Sequence, residues 1–222
     1  MLHMKQTKFI DTLALASVLL QLVSDVVAGK MIHFLGHTVS ISVLCFPLTF
    51  VISDILTEVY GYTAARRVVL QTLTCSIIAG ILYQVAVYVP GAPGFSEDSS
   101  YRVVLGVIPQ ILIAGWLAVG IGELVNNRVL AQLKLLTRGE HLWLRTISST
   151  VVGQGLNTAI FYTIGLHGIL PYPLLFGSIC AAWGTKVFVE VLCTPMVYIF
   201  VYKLKELENL DVYELGSTIY SK

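Results

Sequence analysis

Long apolar runs alternate with short polar breaks along this chain. The runs lie near residues 9–28, 39–60, 68–89, 103–127, 146–168 and 173–202. Each reaches about 20 residues or more, the helix length that crosses roughly 30 Å of hydrocarbon. None shows the ten-residue alternation of a membrane-barrel strand. Lipid offers the backbone no hydrogen-bond partner, so helices are the spanning form that remains. The pattern predicts an all-α integral membrane protein, a single domain over residues 1–222 with six transmembrane helices and a polar tail from 203 to 222. The connectors carry turn residues: 29–37, then 90–101 opening on Pro90-Gly91-Ala92-Pro93-Gly94, then 165–173 with Gly168, Pro171 and Pro173. The first run contains Asp11, Gln21 and Asp25, unlike the core of a signal peptide, and reads as a retained first helix.

Composition agrees with the pattern. Of 222 residues, 56% are hydrophobic and only 12% charged, where soluble domains run near 25%. So much apolar surface does not fit inside a soluble core of this size. Basic residues set the orientation. Eleven (Lys5, Lys8, Arg66, Arg67, Arg128, Lys134, Arg138, Arg145, Lys203, Lys205 and Lys222) fall at one end of the predicted bundle, two (Lys30 and Arg102) at the other, and Lys186 inside a run. This bias predicts both termini in the cytoplasm of a bacterial inner-membrane protein, which requires an even number of spans. A net charge of +1 with no basic cluster gives no reason to expect nucleic acid as a partner. Cys45, Cys75, Cys180 and Cys193 form no CxxC and read as reduced packing residues.

Polar groups at membrane depth are costly and usually face a cavity or a partner. Asp54 and Glu58 are four apart and share a helix face; Lys186 and Glu190 repeat that spacing. Glu123, Asn126 and Asn127 fall in the fourth run, Gln154 and Asn157 in the fifth. With both termini inside, these groups lie between mid-bilayer and the cytoplasmic leaflet, where they could line one cavity. Plainer roles stay open. Lys186 and Glu190 could be an intrahelical pair, Asp54 and Glu58 could cap their helix against Arg66 or Arg67, the amides could hold helices together, and Asp25 could pair with Lys30. Ala114, Ala118 and Gly122 recur every fourth residue and favour close helix packing. Pro47, Pro109 and Pro195 fall inside the predicted spans, where proline kinks helices.

There is no HExxH, GxSxG or P-loop, and the histidines lack metal-ligand spacing apart from His33 and His37 at the rim. The sequence therefore predicts neither an enzyme nor a bound metal or cofactor. A lipid-modifying enzyme using Asp54 and Glu58 as acid and base is the remote alternative.

Four blocks carry a family resemblance. They are FPLTFVISDILTEVYGY at 46–62, followed by Ala65 and Arg66; GELVNNRVLAQLK at 122–134; LRTISSTVVGQGLNT at 144–158; and KVFVEVLCTPMVYIFVYKLKELENLDVY at 186–213. Their order and spacing resemble the queuosine precursor transporters, also called the vitamin uptake transporter family. The resemblance implies a six-helix carrier that imports a 7-deazaguanine base, such as preQ0, preQ1 or queuine, for modification of tRNA. The family pattern often has an aspartate where this chain has Asn157. Asparagine cannot offer a charge to the aminomethyl cation of preQ1, which leans the choice towards another base, although queuine is also an amine. The expected solute-binding set is Asp54, Glu58, Gln154, Asn157, Lys186 and Glu190, with Phe50 and Phe161 as stacking candidates. A carboxylate can accept two N–H groups from one edge of such a base, and aromatic rings can cover its faces. The expected partners are the nucleobase and membrane lipid, with a homodimer left open. The nearest rival is the substrate-binding subunit of an energy-coupling-factor vitamin transporter, which would need ATPase partners. Energy coupling is open. Burial favours the protonated carboxyl, so Asp54, Glu58 or Glu190 could take a proton.

Overall fold

A computed structural model describes residues 7–28, 30–34, 37–106, 109–168, 172–215 and 218–221. Lys5, Pro171 and Lys222, all named above, lie outside the described residues.

Helix α1 covers Ile10–Val27 and leads into a hairpin of β1 (Met31–Phe34) and β2 (His37–Ser40), followed by a 3-10 turn, Ile41–Leu44. Ser40 caps that turn by accepting from the Ser42 N–H at 3.2 Å. Helix α2 is Pro47–Tyr60, α3 is Tyr62–Tyr88, and α4 is the short Asp98–Leu105. Helix α5 is Pro109–Leu136, and α6 is Leu142–Ile160, continued by a π-helical turn, Phe161–Gly165. Helix α7 is Tyr172–Glu208, and a second hairpin, β3 (Val212–Leu215) and β4 (Thr218–Ser221), follows.

Five of these segments are long and apolar enough to cross a membrane: α1, the 3-10 turn with α2, α3, the α4–α5 stretch and α7. Helix α6 is the sixth long helix and falls short of that apolarity because it carries Arg145, Gln154, Asn157 and a run of threonines and serines. It packs more closely against α5 than any other pair of helices meet. The all-helical, multi-pass membrane architecture expected from the apolar runs therefore stands. Its surface is inverted relative to a soluble protein. Leu82, Phe188, Leu192 and Ile199 are exposed, whereas Asp54, Glu58, Glu123 and Gln154 are at most 1% exposed.

Several expected boundaries move. The second span does not begin as a helix at 39. Residues 37–40 pair as a strand, and the α-helix starts at Pro47, where a missing N–H costs nothing. Pro109 likewise opens α5, so of the three prolines expected inside spans only Pro195 is within a helix. The polar tail folds back as the β3–β4 hairpin rather than trailing away. Of the cysteines, Cys75 and Cys180 face outward; all four are free, as expected.

Gly61 makes the corner between α2 and α3. Its φ is +88°, a conformation that favours glycine, and a Cβ there would lie 2.8 Å from Val212 Cγ1 and from Glu214 Oε2. The β3 strand thus packs into the corner that glycine opens. The segment before α1 and the end of α7 meet at this end of the bundle. The Lys8 and Phe9 N–H groups donate to Glu208 Oε1 at 2.8 and 2.9 Å, and the Tyr60 hydroxyl donates to the same oxygen at 3.0 Å. An even number of crossings requires this.

Candidate functional site

Three polar levels run through the bundle. At the end shared by the termini, Glu58 sits fully buried. Arg145 Nε donates to its Oε2 and Nη2 to its Oε1, both at 2.9 Å, a bidentate grip from α6 onto α2. Lys205 Nζ reaches Oε1 at 2.6 Å, and Lys134 Nζ lies 3.5 Å from it. Both lysines also hold Asp211, at 2.9 and 2.7 Å. Lys134 further donates to the Val212 carbonyl at 2.8 Å, tying the C-terminal hairpin to α5. Glu58 thus has three cationic partners and belongs to a structural ion cluster. Neither Arg66 nor Arg67 is among them. The sequence reading missed Arg145, because its place at the edge of a predicted span counted it as a loop charge.

The middle level holds Asp54 on α2, Glu123 and Asn126 on α5, Gln154 on α6 and Glu190 on α7. Asn126 Nδ2 donates to Asp54 Oδ1 at 2.7 Å. Thr150 donates to Glu190 Oε1, and Gln154 Nε2 lies 3.5 Å from Oε2. Ser53 Oγ donates to Asn127 Oδ1 at 2.8 Å. Helices α5 and α6 approach here through facing glycines. A Cβ on Gly122 would stand 2.7 Å from Asn157 Cβ, and one on Gly153 would stand 2.6 Å from Asn126 Cβ. The recurrence of Ala114, Ala118 and Gly122 marks this seam.

The third level is a small, partly open cavity in the half of the bundle away from the Glu58 cluster. Gln21, Ser24 and Asp25 of α1 form one wall, Ser40, Ser42 and Phe46 the segment above α2, and Asn157, Phe161, Tyr162 and Lys186 the wall of α6 and α7. Lys186 Nζ donates to Asn157 Oδ1 at 2.8 Å and lies 4.7 Å from the centre of the Phe46 ring. It bonds across to α6 instead of to Glu190 one turn along its own helix. Asp25 accepts from Gln21 Nε2 at 2.8 Å and from Ser76 Oγ at 2.5 Å, and not from Lys30. Gln21 Oε1 and Ser24 Oγ are buried and have no partner.

Of the residues expected to bind solute, Asn157, Lys186 and Phe161 line this cavity. Asp54, Gln154 and Glu190 lie in the level beneath it, Glu58 in the ion cluster below that, and Phe50 is buried against Phe46 with ring centres 5.6 Å apart. Among the described residues these polar groups are stacked in levels rather than gathered around one cavity. The first helix supplies a wall that the sequence reading left out. Its signal was the row Ser17, Gln21, Ser24, one buried polar stripe on an otherwise apolar helix. Among the described residues no group of His, Cys, Asp or Glu could hold a metal ion.

Residues 40–200 match the sequence profile of the family described as "Putative vitamin uptake transporter". The chain is also 23% identical over 171 residues, 76% of its length and 74% of the relative's, to the "Probable queuosine precursor transporter" of Bacillus subtilis (strain 168). No solved structure matches. The profile takes in the whole middle level, Glu58, Lys134 and Arg145 of the ion cluster and the Asn157 and Lys186 wall of the cavity, though not α1, and the chain belongs to this vitamin uptake transporter family.

Proposed function

We propose that this protein imports a queuosine precursor, a 7-deazaguanine base such as queuine, preQ1 or preQ0, across a bacterial inner membrane into the cytoplasm. The observation that carries the reading is the cavity with an acidic residue on one wall and a basic residue on the other. Asp25 and the free acceptors of α1 face the Lys186 and Asn157 pair across a space lined by Phe46, Phe161 and Tyr162. A deazaguanine is flat, with N–H donors along one edge and a carbonyl on the adjacent one. Asp25 and Gln21 Oε1 suit the donors, Lys186 suits the carbonyl, and the aromatic rings suit the faces. The name of the Bacillus subtilis relative supports the same class of solute. Alternating exposure of this cavity to the two sides would complete a carrier cycle.

The test is uptake of labelled preQ0 and queuine into cells that cannot make queuosine, read as queuosine in tRNA. The expected result is queuosine only when the chain is present, with a loss of about tenfold or more in rate for Lys186→Met and Asp25→Asn at normal membrane levels. Equal queuosine with and without the chain overturns the reading. Co-purification of a P-loop ATPase that uptake requires would assign the chain to an energy-coupling-factor assembly instead.

A further inference from the structure

The level beneath the cavity has an excess of hydrogen-bond acceptors over donors. Asp54 Oδ2, Glu123 Oε1, Asn126 Oδ1 and Gln154 Oε1 are all buried without a partner. Gln154 and Asn126 are 0% exposed, and each presents its amide to a carboxylate of the level, Gln154 to Glu190 and Asn126 to Asp54. Against these four acceptors, Asn127 Nδ2 is the unpartnered amide donor of the level. An acceptor left unmatched in a low-dielectric interior is destabilising, and an unpaired charge far more so.

No cation contacts these carboxylates among the described residues. Asp54 lies within electrostatic reach of Glu190, Glu123 and Glu58 on α2, α5 and α7. Glu58 is neutralised by Arg145, Lys134 and Lys205. On α7, Lys186 is engaged with Asn157, and Cys193 faces Glu190. On α6 the neighbours are the uncharged Thr150 and Gln154. On α1 the titratable groups are Asp11, in the first turn, and Asp25, which is across the cavity and held by Gln21 and Ser76. Protons are the ligand that removes both defects. A carboxyl O–H cancels a buried negative charge and supplies a donor to an orphaned amide oxygen.

We propose that Asp54, Glu123 and Glu190, with the amides of Gln154 and Asn126, form a proton-binding level that couples movement of solute through the cavity above to movement of protons. This rests on the transport reading. The step is a protonation equilibrium, in which a proton from the outer solution adds to a carboxylate and later leaves to the cytoplasm, and no covalent bond of the solute changes. The side chains of α2, α5 and α7 meet in this level, so its protonation alters how strongly those helices repel one another. That gives the proton a handle on which side of the bundle can open.

The experiment uses the full chain purified into liposomes, with neutral preQ0 as the probe so that passive trapping of an amine plays no part. Equilibrium exchange of labelled preQ0 without a gradient tests the transport reading alone. An imposed gradient of one pH unit, acid outside, tests coupling. The expected accumulation approaches tenfold for one proton per base, since one pH unit and a tenfold ratio are each worth about 1.4 kcal/mol. In Glu123→Gln the expected result is retained exchange with accumulation cut at least about threefold. Exchange with no response to the pH gradient, or accumulation driven by a sodium gradient alone, overturns the inference and leaves the transport reading intact. Infrared difference spectra of the detergent-purified protein give a readout independent of transport. A carboxylic-acid carbonyl band that shifts or disappears in Glu123→Gln or Glu190→Gln is expected, and a spectrum unchanged in both overturns the proposal.

Discussion

Lys186 Nζ donates to Asn157 Oδ1 across 2.8 Å, joining α7 to α6 on the wall of the cavity. The amide accepts from the lysine nitrogen without supplying a charge of its own, so no ion pair forms on this wall, and Asp25 borders the same space from α1. Replacing asparagine by aspartate would turn the contact into an ion pair and make the cavity more negative overall.

Asn157→Asp is therefore expected to favour a cationic base over a neutral one. The ratio of preQ1 to preQ0 uptake should rise by about tenfold, a change of roughly 1.4 kcal/mol in relative binding. Competition of unlabelled preQ1 and preQ0 against one labelled base measures it. An unchanged ratio would show that the solute does not sense this pair.

Arg145→Met should destabilise the fold more than it alters selectivity. It removes the bidentate partner of a fully buried Glu58. Breaking a buried pair by removing one partner costs about 3–5 kcal/mol, because the other charge is left behind. Lys134 and Lys205 remain and should hold the loss towards the lower end. Thermal unfolding in detergent should show a large fall in midpoint, and Glu58→Gln in the same background should recover part of it.

Docking of the C-terminal hairpin should weaken in acid. Burial pushes the Asp211 carboxyl up, but hydrogen bonds from Lys134 and Lys205, together with their charges, outweigh that and hold it below its usual value of 3.8. A carboxyl depressed in the folded state contributes stability that is present above its unfolded value and is lost as pH falls through the folded one. The window is therefore below about pH 4. Hydrogen exchange of residues 212–215 should quicken there in the wild type, while Asp211→Asn should exchange faster already at neutral pH and show less further change.

Gly153→Ala is expected to cost about 1–3 kcal/mol, the usual range for overpacking. The added methyl would stand 2.6 Å from Asn126 Cβ and 2.9 Å from the Gly122 carbonyl oxygen, and backbone cannot swing aside as a long side chain can. Gly184→Ala serves as the control, because nothing lies within 4 Å of its added Cβ. A lower thermal midpoint for Gly153→Ala alone would confirm the close seam.

The helices, their number and the single end shared by both termini were legible in the sequence. Lipid demands about 20 apolar residues per crossing, and basic residues gather at one end. A close-packing face on α5 was legible as well, through Ala114, Ala118 and Gly122, but not that α6 is its partner. So were most of the polar residues that had to be satisfied inside, because charge at membrane depth is too costly to be incidental, but Arg145 and the Ser17, Gln21 and Ser24 stripe were not. How these residues divide among themselves was decided only by the tertiary structure. Asp54 and Glu58 share a helix face four residues apart, yet one meets an amide and the other three cations, because α5, α6 and α7 bring different side chains to successive turns of α2. Spacing along one helix states which way a side chain points. What it meets depends on distant segments, as when Arg145 reaches Glu58 from 87 residues away and Lys205 from 147.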